Sequence, residues 1–588
     1  MLQYDDILKN VVGEFGIYQK RNCVLLCVMA MTVSIGLLSP VFLHSEVDHW
    51  CRVPESESIF ERCRSINISG DGCIDIQMNL TIPKEMRFDG DECQSSLKFS
   101  RCLRYESSEE TNYTNSSLKV ISCDHGWVYD TRTYTSTVMQ EFDLVCDDYY
   151  LGALITSVYM SGYLVGNFIF GPLSDRIGRL KTLMISLCGL EVFGVASAFA
   201  SNVVMFSVFR FLSAVFLMGQ YLQIFILATE YVGPSKRPVV FVFFMLMYAA
   251  GYVTLAVIAF LIRTWRMLLL ALTLPSLLFL SYFCIIDESP RWLISVGKED
   301  KAVHIVKKMA RVNKVMEIDY CELFTVNDNN EEIKKNSTHV KEVKRSGIID
   351  LVKHHYLRKI TIIMCFAGGT SGMTYYGFSF NTSNLGGNDF IIAGIAGAVE
   401  IPGNLLMFVM IKSVLGRRFT FCIFAVLGGL ASLITAFLPK CGDLIWINLT
   451  VSMIGKCAIT SAYNLSWIYA AELFPTVVRS LGVSMTSVCG MLGSILAPQI
   501  LLARKLWSPL PQVIFGAMPI LAGLLILLLP ETRGKKLPET IGGGHSFGRE
   551  RQQTNVENPE YAEGRRGITQ NTANLPGKHS PKKDSCQT

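Results

Sequence analysis

The stretch Gly171-Pro-Leu-Ser-Asp-Arg-Ile-Gly-Arg179 ends an apolar run, and a weaker copy of it, Ser413-Val-Leu-Gly-Arg417, stands 238 residues further on. Two more matches keep nearly the same spacing. Glu230 is followed seven residues later by Arg237, and Glu472 seven residues later by Arg479, an offset of 242. Asp287-Glu-Ser-Pro-Arg291 is echoed by Pro530-Glu-Thr-Arg533, an offset of 243. Three matches at almost one period divide the chain into two related halves, a sign of folds made by duplication.

The segments between these signals are too apolar for a soluble domain. Half of the 588 residues are hydrophobic, and the 18% that are charged concentrate in 44–148, 287–359 and the tail after 531. A bilayer core of about 30 Å takes roughly 20 apolar residues per helix. Twelve such runs lie near 21–43, 149–170, 182–200, 203–230, 238–262, 265–286, 360–380, 389–411, 419–438, 444–471, 479–502 and 511–530. The expected fold is therefore an all-α membrane protein of twelve transmembrane helices, six in each half. Its formal charge of +5 is small and scattered, and no basic run is interleaved with aromatics, which excludes nucleic-acid binding.

Orientation follows from the Lys and Arg of the short loops. With the N-terminus in the cytoplasm, nine of them (such as Arg176, Arg179, Lys181, Arg237 and Arg417) fall inside and five (such as Arg263 and Arg504) outside. The expected organisation is then a cytoplasmic N-terminus over 1–20, a first span over 21–43 and a large extracellular loop over 44–148. Spans 2–6 follow over 149–286, a cytoplasmic loop over 287–359, spans 7–12 over 360–530, and a cytoplasmic, mostly disordered tail over 531–588. The 44–148 loop carries seven cysteines, Cys51, Cys63, Cys73, Cys93, Cys102, Cys123 and Cys146, and glycosylation sequons at Asn67, Asn79, Asn112 and Asn115. Both features belong to an exported, disulfide-stapled domain. An odd count leaves three bridges and a spare thiol. Cys51, Cys63, Cys93, Cys102, Cys123 and Cys146 are the expected partners, in a connectivity that sequence does not give. The sequon at Asn336 falls in a cytoplasmic loop and is expected to stay unmodified.

The pattern Gly171 to Arg179 resembles the loop after the second span of the major facilitator superfamily. Together with Glu288-Ser-Pro-Arg-Trp292-Leu293, Ala471-Glu-Leu-Phe-Pro-Thr-Val-Val-Arg479 and the cysteine-rich loop, it looks more narrowly like solute carrier family 22, over residues 5 to 540. Asn381-Thr-Ser-Asn384-Leu-Gly-Gly-Asn388, Met453-Ile-Gly-Lys456 and Leu492-Gly-Ser-Ile-Leu-Ala-Pro498 suggest its organic cation/carnitine branch. The resemblance implies the major facilitator fold and transport of charged or zwitterionic organic molecules by alternating access. Two central positions depart from it. Span 11 carries Met491 where cation carriers have aspartate and anion or carnitine carriers arginine, and span 8 carries Asn404 where anion carriers have lysine.

The repeated loop charges are candidates for gating. Asp175 and Arg179 can bridge to Glu230 and Arg237; Arg176, Glu472 and Arg479 complete the set. Charges inside spans cost on the order of 2.5–3.5 kcal/mol each and are expected to face the bundle interior. Here they are Glu191, Arg210, Glu400 and Lys456, of which Glu400 and Lys456 are expected to pair. Tyr221 and Phe225, and Tyr463 and Trp467, are each four residues apart and share a helical face. With Tyr375 and Tyr376 they form a possible cation–π cage; the resemblance implies cavity positions for Tyr221, Phe225, Tyr375 and Tyr463. The candidate substrate contacts are thus Tyr221, Phe225, Tyr375, Tyr376, Glu400, Asn404, Tyr463, Asn464, Trp467 and Met491. Gln220, Gln223 and Gln499 are further polar groups within spans.

Nucleotide, zincin and hydrolase motifs do not occur, so an enzyme is not expected, nor a cofactor or a metal. The reading is a multi-pass secondary transporter of the plasma membrane, in contact with lipid. It would move small organic solutes, carnitine-like zwitterions or organic cations, with sodium or protons as possible coupling ions. An organic anion or neutral-metabolite carrier, and a transport-inactive receptor or adhesion protein, are the alternatives.

Overall fold

The computed structural model describes residues 4–52, 78–79, 81–88, 95–105, 119–315, 348–382, 385–439 and 444–533. Within a bilayer every backbone N–H and C=O must be bonded internally, so uninterrupted apolar runs become helices. The first half contributes span 1 (Ile17–Leu43, with a break at Ser39), span 2 (Tyr149–Ile177), span 3 (Arg179–Ala198), span 4 (Val203–Glu230), span 5 (Arg237–Leu261) and span 6 (Trp265–Ile285). The second contributes span 7 (His355–Phe380), span 8 (Asp389–Lys412), span 9 (Gly416–Phe437), span 10 (Leu444–Leu473), span 11 (Arg479–Leu502) and span 12 (Leu510–Ile526). Ten of these are long and apolar enough to cross a membrane by themselves. Spans 7 and 12 complete the second half by packing against spans 11 and 9 respectively.

Span 6 is not one regular helix. Its middle, Leu274–Ser281, is 3-10 helix. Pro275 cannot donate to the helical ladder, and Ser276 next to it turns its hydroxyl onto the buried Glu191 carboxylate of span 3. This is where the unusual Glu191 finds a partner.

The halves meet along two seams, span 2 against span 11 and span 5 against span 8. The hydrogen bonds that join them cluster at one end. Ser157 Oγ of span 2 donates to the Ile495 carbonyl (2.8 Å) and accepts from Gln499 Nε2 (3.0 Å). Tyr134 OH donates to Asp389 (3.0 Å), and Lys505 Nζ reaches the Cys146 carbonyl at 3.4 Å. Phe42 stacks on Phe390 at 5.6 Å. This is the end that carries the segment between spans 1 and 2. Disulfides Cys51–Cys123 and Cys102–Cys146 tie that segment together. Its described residues contain three antiparallel strand pairs, His49–Cys51 with Trp127–Tyr129, Lys84–Phe88 with Ser95–Phe99, and Leu103–Tyr105 with Val120–Ser122. Cys63, Cys73, Cys93, Asn67, Asn112, Asn115 and Asn336 lie outside the described residues, as does the tail beyond 533; Asn79 is exposed.

At the opposite end, the segment before span 1 folds back as helical turns, Tyr4–Ile7 and Leu8–Val12, which bury Tyr4, Ile7, Leu8 and Val12. Asn313, just past the amphipathic helix Glu299–Val312, holds this segment by donating to the Val12 carbonyl (3.1 Å) and Gln19 Oε1 (2.9 Å) and accepting from the Tyr18 N–H (2.9 Å).

Candidate functional site

The repeated loop signals build the same clasp twice. In the first half, Glu288 accepts the backbone N–H groups of Arg179 (2.9 Å) and Leu180 (3.1 Å), the free donors at the start of span 3. In the second, Glu531 accepts those of Arg417 (2.9 Å) and Arg418 (3.0 Å) at the start of span 9. A carboxylate there satisfies orphan amides and complements the helix dipole. Each clasp needs a glycine with positive φ, Gly178 (+108°) and Gly416 (+71°), and a Cβ on either would lie 2.5 Å from its glutamate. Gly416→Ala is accordingly expected to cost about 1–2 kcal/mol from the left-handed backbone alone, plus displacement of Glu531. A purified variant whose thermal midpoint equals the wild type's would refute that account.

Arginines complete the clasps. Arg179 contacts Asp175 (2.8 Å) and Glu230 (3.4 Å), joining spans 2, 3 and 4. Arg417 contacts Glu472 at 3.0 Å, joining spans 9 and 10. Arg237 is not in this network. It pairs with Asp5 of the N-terminal segment (2.6 Å), because that segment folds against the start of span 5. Arg479 bonds the Phe474 carbonyl and Thr476, and Arg176 is exposed. The two glutamates at the heart of the clasps were visible in the sequence as repeat members. Their role was not, because it depends on amides more than 100 residues away.

Between the halves, at mid-depth, lies a cavity. Tyr221, Tyr375, Tyr376, Glu400, Asn404, Tyr463, Asn464, Trp467 and Met491, nine of the ten candidate contacts, line it. Phe225 is elsewhere, its ring edge-on to Phe241 (6.0 Å) and Phe244 (5.7 Å) between spans 4 and 5. Sequence reasoning missed Tyr163, Tyr248, Met160, Met218 and Met245, which also line the cavity. Nothing distinguishes them in sequence from ordinary apolar packing.

The aromatic wall is ordered. Tyr375 stacks on Tyr463 at 5.4 Å and meets Tyr376 edge-on at 5.0 Å, and Trp467 closes on Tyr463 at 6.3 Å. Asn464 Nδ2 donates to Asn404 Oδ1 (2.7 Å), which fixes both amides on the cavity wall. Among the described residues lining the cavity, Glu400 is the single charged one. Lys456 Nζ sits 3.1 Å behind it, buried, donating to Ser379 Oγ (2.5 Å) and 3.6 Å from the centre of the Tyr375 ring. The lysine is therefore occupied from three sides, while Glu400 and the aromatic rings line the cavity. Arg210, the other buried span cation, lies outside this cavity, bonded to Ser39 Oγ (2.7 Å) and stacked 4.0 Å from the Tyr159 ring centre. Gln220 bonds Thr32, and Gln223 bonds Ser174.

Twelve spans in two related halves, with mirrored clasps and a cavity between them, define a major facilitator transporter, and the fold is not that of an enzyme. The sugar (and other) transporter family matches residues 99–540. The chain is 37% identical to the organic cation transporter protein of Drosophila melanogaster (93% of this chain, 95% of that one). It is 36% identical to mouse solute carrier family 22 member 3 (92% and 95%) and 32% to human organic cation/carnitine transporter 2 (92% and 94%). The chain belongs to solute carrier family 22. Its fold is similar to the inward-open xylose transporter XylE of E. coli, with a TM-score of 0.53 at 20% identity over 66% of this chain and 88% of that one.

Proposed function

We propose that this multi-pass membrane transporter carries small organic cations across the plasma membrane by alternating access, its central cavity binding the cationic centre. The observation that carries this reading is the cavity's charge. One carboxylate, Glu400, paired from behind with Lys456, faces an aromatic and methionine wall, and no Lys or Arg is among the described residues that line the space. Cation–π contacts contribute about 0.5–2 kcal/mol each and suit an ammonium that cannot form hydrogen bonds. A zwitterion's carboxylate would find amides of Asn404 and Asn464 but no guanidinium, so cations are favoured over carnitine-like solutes.

The disulfides favour an oxidising, extracellular location for the segment between spans 1 and 2. On that orientation the hydrogen-bonded seam closes the outside, and the clasps work on the cytoplasmic face. Rocking of the halves about the cavity would exchange one closed end for the other. Asp175, Arg179, Glu230, Arg417 and Glu472 hold each half's inner ends together during that motion.

The test is uptake of radiolabelled tetraethylammonium, carnitine and p-aminohippurate into cells expressing the full chain, with and without external sodium. Tetraethylammonium is expected to enter at least tenfold faster than p-aminohippurate, and Asp175→Asn to slow it. Entry of the anion alone would overturn the cation reading. Surface-expressed protein that takes up none of the three would turn attention to a receptor role.

A further inference from the structure

A second cavity lies between the halves at the disulfide-bearing end. Its position relative to the first is fixed by two spans. On span 2, Tyr149, Ala153 and Thr156 line it, then comes Ser157, then Met160 and Tyr163 of the central cavity. On span 11, Leu501 and Pro498 line it with Gln499 between them, then comes Ile495, then Ser494 and Met491 of the central cavity. The hydrogen bonds of Ser157 to Ile495 and Gln499 therefore form the floor that separates the two spaces.

The chemistry of this vestibule differs from that below. Arg504, from the second half, lines it. Its Nη2 donates to Asn381 Oδ1, its Nε is buried without a hydrogen-bond partner, and no carboxylate pairs with it among the described residues. Glu46, from the first half, lines the opposite side, but its charge is already engaged by Arg101 (3.0 Å) and its second oxygen lies 3.4 Å from Tyr149 OH. Lys505 adds a further positive charge 4.4 Å from the Tyr149 ring centre. His44 contributes no charge of its own. Burial, then the Arg210 guanidinium, pushes its imidazole down to about 3. Since Thr156 spends its hydroxyl proton on the Gly152 carbonyl, His44 Nδ1 is the donor in their 2.7 Å contact. The balance is a half-buried guanidinium with no carboxylate in contact, attracted by Glu46 only at longer range, beside an apolar wall that includes Phe380.

We propose that this vestibule is a second binding site, for a small carboxylate with an apolar body, whose carboxylate pairs with Arg504. Arginine is suited to this because its fork matches a carboxylate at two points. Residues from both halves touch the occupant, so binding favours the arrangement in which this end is packed shut. The site goes beyond the central cation cavity and does not depend on the reading given to it. A simple carboxylate and a zwitterion share the recognised group; the second would also place its ammonium near Glu46.

Binding of labelled benzoate to the purified full chain in lipid nanodiscs tests the proposal, with N,N,N-trimethylglycine as the zwitterionic probe. Saturable benzoate binding is expected, weakened at least tenfold by Arg504→Gln and lost on filling the space with Ala153→Trp, which leaves every charge in place. A saturating concentration of benzyltrimethylammonium should not displace it. Tighter binding of trimethylglycine, reduced to the benzoate level by Glu46→Gln, would assign the site to zwitterions; equal or weaker binding would assign it to simple carboxylates. The proposal is overturned if wild type shows no saturable binding of either probe, if both Arg504→Gln and Ala153→Trp bind as wild type, or if the cation competes for the same site.

Discussion

Glu400→Gln is expected to lower organic-cation uptake by more than tenfold and to destabilise the protein, and the second effect should be separable from the first. Glu400 and Lys456 form a buried pair inside the second half. Removing one partner of such a pair leaves the other as an uncompensated charge, which costs about 3–5 kcal/mol. Glu400→Gln and Lys456→Met should each therefore lower the thermal midpoint. The double variant, with no charge left to strand, should recover most of that loss. Transport should not recover with it, because the cavity then has no anion to face a substrate ammonium. If Glu400 were only a lock between helices, the double variant would regain both stability and uptake. Tetraethylammonium uptake normalised to surface protein, measured beside thermal midpoints for all four proteins, decides between these outcomes. Wild-type uptake by a stable double variant would remove Glu400 from the binding site.

The sequence carried the architecture because the membrane makes hydropathy so direct a signal. Twelve runs and three offset matches located twelve spans and two halves. What hydropathy could not see were contacts made by polar groups at the helix ends. Arg237 shares its spacing from Glu230 with Arg479 and Glu472, yet it pairs with Asp5, since folding of the N-terminal segment onto the first half depends on residues outside the repeat. Span 1 begins at Ile17 and span 7 at His355, both earlier than their apolar runs, because a helix continues through polar residues such as Lys20, Arg21 and Arg358 once its ladder is nucleated.

The cavity was legible where chemistry and helical spacing coincided. Tyr463 and Trp467 lie one turn apart and do face the same space. The same argument applied to Tyr221 and Phe225 placed only the tyrosine there. Residues four apart are rotated by about 40° on a 3.6-residue helix, and at the edge of the cavity that rotation turns Phe225 toward Phe241 and Phe244 of span 5. Buried methionines and tyrosines such as Met218 and Tyr248 gave no signal at all, since nothing in an apolar run says which side of it is empty.

Met491 offers the sharpest change of selectivity. It lines the central cavity from span 11, is buried, and brings no charge. At an effective dielectric constant of about 20, a unit charge about 6 Å from a bound ligand's charge is worth roughly 2–3 kcal/mol, and each 1.4 kcal/mol is about tenfold in affinity. Met491→Asp is thus expected to tighten tetraethylammonium binding by about tenfold, less than the full Coulomb term because the new carboxylate must itself be desolvated. Met491→Arg should have the larger effect. Its guanidinium would repel the cation, lowering uptake by at least 30-fold, and would supply the anion-binding fork that the cavity lacks, so that carnitine and p-aminohippurate enter faster than in wild type. The pair of variants carries its own control, since both bury a charge at one position and any general loss of folding should afflict them alike. Opposite shifts in the tetraethylammonium to p-aminohippurate uptake ratio would assign span 11 the choice of substrate sign. Ratios that move together, or not at all, in two surface-expressed variants would mean that the substrate's charge sits far from Met491, and the cation would then have to be placed against the Trp467 side of the aromatic wall.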